Sequence, residues 1–254
     1  MPRYFIRLSY RGSSFHGWQR QPGDCSVQQT IEEALTTVLR LPVSITGAGR
    51  TDTGVNARRM FAHTDLPEDC LGGDITRVLN GINRLCGRDI AIESIFPVPD
   101  DAHARFDATE RTYKYFTHTS KDPFCYPLSW QSPANLDYER MNEAASILLD
   151  TDDFTSFSKL HTDVKTNICR VTRAEWIFED ERPVFVISAD RFLRNMVRAV
   201  VGTLVDVGRG KLDIAGFREV IESKNRCCAG TSMPGNALFL WDIRYPEELE
   251  RFFR

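Results

Sequence analysis

The densest chemistry in the sequence lies in eight residues, Gly47-Ala48-Gly49-Arg50-Thr51-Asp52-Thr53-Gly54. A dinucleotide loop is the first comparison, and it fails. The third glycine of G-x-G-x-x-G would fall at position 52, which is aspartate, and a carboxylate there repels a pyrophosphate. No G-x-x-x-x-G-K-[ST] phosphate loop is present either. What remains is an acid held between glycines, with an arginine two residues before it. In extended backbone, Arg50 and Asp52 project to the same side, and an adjacent guanidinium favours the ionised carboxylate. Such a group acts as a nucleophile or a base; the alternative is an aspartate that only caps the turn.

Three other segments combine cations with rings or regular spacing. In DRFLRNMVRAVVGTLVDVG, at ~100° per residue, Arg191, Arg194 and Arg198 fall within roughly a 60° arc. Leu193, Met196, Val197, Val200 and Leu204 cluster on another face. The pattern predicts a helix over 191–206 buried on one side. Its arginines aim at phosphate or at Asp52, or else form a solvated basic face. In Arg111-Thr112-Tyr113-Lys114-Tyr115, a strand places Arg111, Tyr113 and Tyr115 on one face. A ring beside a cation suits stacking on a base beside its phosphate, and it equally suits ordinary sheet packing. The loop His16-Gly17-Trp18-Gln19-Arg20 has the same two readings.

These residues sit in an ordinary globular composition. The chain has 254 residues, 42% hydrophobic and 26% charged, with net charge −3. That excludes a disordered chain, a collagen-like chain and a disulfide-dependent miniprotein. No stretch approaches the ~18 apolar residues of a membrane span, and the start, MPRYFIRLSY, does not read as a signal peptide. Bulk charge does not predict a nucleic-acid partner, so any positive potential must be local. Of 32 basic residues 26 are arginine, which suits bidentate phosphate contacts or is a compositional habit. Seven cysteines, at 25, 70, 86, 125, 169, 227 and 228, form no C-x-x-C. Reduced thiols in a cytosolic protein are the expectation. The histidines at 16, 63, 103, 118 and 161 form no H-E-x-x-H, so metal catalysis has little support.

Strands and helices alternate around these segments. Residues 3–10 read as a strand with Tyr4, Ile6 and Leu8 on one face. Ser26, with Gln29 as a capping box, opens a helix striped by Val27, Ile31, Ala34, Leu35 and Val38 and ended at Leu41-Pro42. The acid loop lies between two strands. Asp74 caps a helix carrying Ile75, Val78, Leu79, Ile82 and Leu85. Strands follow at 89–98, 111–119, 170–178, 183–190 and 237–244, with helices over 137–149 and from Asp213. Mixed order points to α/β or α+β layers. The turn-rich stretch 97–107 is the seam, giving domains 1–104 and 105–254.

Taken together, the segments resemble the TruA family of tRNA pseudouridine synthases. The resemblance runs along the chain through FHGWQRQ (15–21), SVQQTIEEAL (26–35), GAGRTDTGVNA (47–57), ARFDATERTYKY (104–115), FLRNMVRAVVGTLVDVG (192–208) and GNALFLWDIRYP (235–246). It implies isomerisation of uridine to pseudouridine at positions 38, 39 and 40 of the tRNA anticodon stem-loop. It implies Asp52 as the essential acid and Tyr113 as the ring that stacks on the target uracil. Arg198 would pair with Asp52, Arg50 would help expel the nucleotide or hold its backbone, and Leu238 would pack against the flipped base. It also implies a two-domain fold, mainly antiparallel sheets meeting at a central cleft with helices on the outer faces. A cytoplasmic homodimer on tRNA, with no metal, organic cofactor or membrane, completes the expectation. The sequence departs from the family pattern at Asn56, where histidine is frequent, at Thr53, and at Met233-Pro234-Gly235.

Overall fold

The computed structural model describes residues 1–72, 74–159 and 166–253, so His161 lies outside the described residues. In chain order the main elements are β1 (Arg3–Tyr10), α1 (Val27–Leu39), β2 (Thr46–Gly47), β3 (Asn56–Asp65), α2 (Ile75–Leu85), β4 (Ile90–Val98), β5 (Glu110–His118), β6 (Trp130–Gln131), α3 (Tyr138–Ser146), β7 (Val171–Glu179), β8 (Arg182–Ala189), α4 (Met196–Gly208), α5 (Ile214–Glu222), β9 (Leu238–Arg244) and α6 (Glu247–Glu250). The fold is mixed α/β, with mostly antiparallel strands and packed helices. Contacts group the chain into two compact units: Met1–Thr109 with Leu240–Arg254, and Glu110–Phe239.

In the first unit β1 lies between β3 and β4, antiparallel to both. β2 pairs with β3 through Thr46 opposite His63 and Gly47 opposite Ala62. Phe5, Ile6 and Leu8 are fully buried. Ser26 accepts the Gln29 N–H (3.3 Å) and starts α1; Arg40 in left-handed backbone ends it. The stripe Val27, Ile31, Ala34 and Leu35 is buried as its spacing requires. α2 is capped by Asp74 but buries only Ile82, and Leu85 is 50% exposed. The return of 240–254 to this unit has an apolar cause. Tyr245 and Phe253 pack on Phe61 with ring centroids 5.3 and 5.0 Å away. Phe253 also meets Phe96 at 5.2 Å, and the Tyr245 hydroxyl donates to the Ala104 carbonyl (2.6 Å).

In the second unit β8 lies between β5 and β7, antiparallel to both, and β6 runs parallel to β5. Val184, Phe185, Val186 and Ile187 are all fully buried, so β8 is covered on both faces. Asp137 and Asp213 cap α3 and α5. The expected helix over 191–206 needs correction. α4 begins at Met196, because Asn195 takes left-handed backbone (φ 66°), and Arg191 and Arg194 lie before it. The three-arginine arc therefore does not exist as a helix face. α4 is also buried almost all round rather than on one side. Among the described residues no helix is long and apolar enough to cross a membrane.

Candidate active site

The acid loop is built largely by backbone. The Ala48 N–H donates to the Phe61 carbonyl (2.8 Å) and continues the β2–β3 pairing. The chain then turns: the Val55 N–H donates to the Asp52 carbonyl (3.1 Å), with Gly54 at φ 78°. A positive φ at the third position is what such a turn demands, and glycine supplies it without strain. Asp52 is thus the first residue of a tight turn and is half-buried, whereas Arg50 is exposed.

Three neighbours fix that turn. Thr51 is buried; its hydroxyl hydrogen-bonds the Tyr10 hydroxyl (2.8 Å) and its carbonyl accepts the Trp18 N–H (3.1 Å). Trp18 is 2% exposed, its ring packed against Gly47. Of the two readings of the loop 16–20, packing is therefore the one realised at Trp18. Asn56, the departure from the frequent histidine, is buried and accepts the Gly12 N–H through Oδ1 (2.9 Å). It ties the start of β3 to the chain leaving β1.

The second unit holds the other candidates. Tyr113 lies in β5 opposite Ile187, half-buried, with Phe192 edge-on to its ring at 5.0 Å and 84°. Tyr115, on the same strand face, is fully buried. Burial pushes its phenol well above the usual range, against the opposing pull of Arg198. Arg111 donates to the Asp190 carbonyl (2.6 Å). Arg198 is half-buried in the first turn of α4 and donates through Nε to the Met233 carbonyl (2.5 Å). In return the Met233 N–H donates to the Arg198 carbonyl (3.1 Å). Leu238 is 4% exposed at the start of β9.

A family model described as tRNA pseudouridine synthase matches residues 144–246. A tRNA pseudouridine synthase A of Parabacteroides distasonis is 59% identical over 249 residues, covering 98% of each chain. Those of Bacteroides thetaiotaomicron and Porphyromonas gingivalis are 57% and 54% identical, covering 98% of this chain and 93% and 99% of theirs. The chain belongs to the TruA family of tRNA pseudouridine synthases.

Members of the TruA family are isomerases, and what this TruA-family chain offers chemically agrees in kind. It has a half-buried carboxylate on a rigid turn, a half-buried tyrosine ring, and a guanidinium held from behind by a carbonyl. Among the described residues no group of three or more His, Cys, Asp or Glu could hold a metal ion. The family-model span contains Arg198 and Leu238; Asp52 and Tyr113 lie in the part matched by the whole-length relatives. Two neighbours of the candidate residues escaped the motif reading. Phe192 was visible as a ring inside FLRNMVR, but its partner Tyr113 is far off in sequence. The Met233 carbonyl leaves no side-chain signal at all.

Proposed function

We propose that this chain converts uridine to pseudouridine in tRNA at positions 38, 39 and 40 of the anticodon stem-loop, with Asp52 as the essential catalytic group. Membership of the TruA family supports the tRNA reaction. The observation that carries the assignment of the acid is the turn at Asp52, a half-buried carboxylate fixed by backbone within the GAGRTDTGVNA run on which the family resemblance rests. Tyr113, Arg50, Arg198 and Leu238 bind the target nucleotide.

The target base starts stacked in a stem, so the nucleotide is flipped out at a cost of a few kcal/mol. Stacking on Tyr113, worth about 1–3 kcal/mol, offsets part of this. The carboxylate then has two routes. It attacks carbon 1′ as the bond to uracil N1 breaks, or it removes the 2′ proton to leave a glycal. In the first, carbon 5 of the rotated uracil bonds to carbon 1′ as the carboxylate leaves it; in the second, carbon 5 bonds to carbon 1′ of the glycal as the carboxyl returns its proton to carbon 2′; in both, carbon 5 then loses its own proton. No redox partner is needed, because the product is an isomer of the substrate. Deuterium at the 2′ position slows the second route and not the first. We further propose a cytoplasmic homodimer whose division of labour follows the sequence seam, 1–104 carrying Asp52 and Arg50 and 105–254 carrying Tyr113, Arg198 and Leu238, without metal or organic cofactor.

The test is the purified chain on unmodified tRNA transcripts, with pseudouridine mapped by position. Product at 38–40 is expected. Asp52→Asn should bind tRNA as the parent does and form no pseudouridine; formation at the parental rate would refute the assignment.

A further inference from the structure

The segment 102–107 contains a platform that the reaction as described does not use. All six of its backbone N–H groups are hydrogen-bonded. Ala102 donates to the Pro99 carbonyl (2.9 Å) and Asp107 to the His103 carbonyl (3.1 Å). His103 donates to the Asp107 carboxylate (2.7 Å) and Ala104 to Nδ1 of His63 (3.2 Å). Arg105 and Phe106 both donate to Nδ1 of His103 (3.1 and 3.2 Å). From outside, the Arg3 guanidinium holds the Ala102 carbonyl (2.9 Å) and the Tyr245 hydroxyl holds that of Ala104 (2.6 Å). Both histidines accept through Nδ1, which needs the neutral tautomer with its proton on Nε2. Their surroundings favour it: burial lowers both, and drives His63 to about 4.

What this scaffold presents is a ring. Phe106 is 74% exposed. His103 supports it at 4.2 Å and 31°, with the His63 ring behind at 4.5 Å, and the Arg105 guanidinium lies 5.8 Å from its centroid. Single exposed apolar side chains are ordinary on a protein surface. An aromatic ring held out by a loop whose backbone N–H groups are all hydrogen-bonded, with a tilted ring beneath and a cation beside it, is not. The ordering cost of contact is met in advance, and a π-face next to a guanidinium is the arrangement that recognises an unstacked base and its phosphate.

We propose that the Arg105–Phe106 tip is a docking platform for an unpaired base of the tRNA substrate, Phe106 stacking on the base and Arg105 meeting a phosphate beside it. The proposal rests on tRNA being the substrate. The test measures binding of an unmodified tRNA transcript to the parent, to Phe106→Leu, which keeps apolar bulk without a π-face, and to Phe106→Trp. Thermal unfolding of each is the control. The expected result is about tenfold weaker binding for Leu, near-parental binding for Trp, and unchanged melting. Equal binding by the Leu variant and the parent overturns the platform while leaving the tRNA reading intact. Loss with Leu that Trp fails to restore also overturns it. If the Leu variant alters self-association but not RNA binding, the ring faces a second copy of the chain and the proposal falls. A parent that does not bind tRNA refutes the substrate reading itself, and the platform with it.

Discussion

The carboxylate of Asp52 and the guanidinium of Arg198 are held by opposite means. Asp52 has a short side chain, so its position is set by backbone: a tight turn, an N–H bond from Val55, and the buried Thr51 next to it. Arg198 has a long chain that would otherwise sample many rotamers, and it is held near its far end, by the Met233 carbonyl on Nε. The carbonyl in turn belongs to a strap packed directly on α4. Asn195 and Arg226 both donate to the Ser232 hydroxyl (2.6 and 2.7 Å), and the Gly230 N–H donates to the Thr203 hydroxyl (2.9 Å). A Cβ at Gly202 would run into the Thr231 carbonyl, so backbone meets backbone there. Here a short acid sits on a turn fixed by main-chain bonds, and a long base is reached by a second segment.

The largest effect that would break this contrast belongs to Gly202. Gly202→Ala forces the strap away and should cost about 3 kcal/mol by overpacking, read as a lower urea midpoint. An unchanged midpoint would mean that the strap is not held against α4.

The next effect sharpens the contrast by pH and belongs to the first unit. His63 is buried there, edge-on to the His103 ring and close to Arg3, and its folded value of about 4 lies below the ordinary 6.5. The unfolded chain therefore binds the extra proton first. The stabilisation is fully present above pH 6.5 and is lost as pH falls towards 4, on the order of 2 kcal/mol after allowance for solvent screening. Unfolding measured between pH 7 and 4 should show this slope, and His63→Asn, which keeps an acceptor but does not titrate, should flatten it. A parental slope in the variant would assign the acid sensitivity elsewhere.

The smallest effect concerns the turn itself. Gly54→Ala places a Cβ at φ 78° and should cost about 1–2 kcal/mol in stability. Because the strain falls on the turn of Asp52, pseudouridine formation should drop by more than the stability loss explains, with tRNA binding kept. Activity that simply tracks the folded fraction would show that the turn does not position the acid.

Much of this was legible in the residues. The α1 stripe and its Ser26 cap, the strand over 3–10, the Asp74 and Asp213 caps and the acid between glycines all follow from local rules, because backbone propensity and side-chain period act within a few residues. The family motifs were legible for the same reason, as contiguous runs. The α4 boundary was not: its periodic arginines and valines continue smoothly through Asn195, where a left-handed residue stops the helix. Nor was the role of Trp18, an aromatic between a histidine and an arginine that proves to be core.

Sequence by itself determined the family, the glycine-flanked run that holds Asp52 and the kinds of element around it, since each is encoded in residues next to one another. Tertiary structure alone decided that 240–254 folds back onto Phe61 and Phe96, that the Met233 carbonyl meets Arg198, and that Phe106 is displayed while Trp18 is hidden. Those outcomes depend on which distant segments exclude water together and on backbone carbonyls, whose partners no side-chain pattern records.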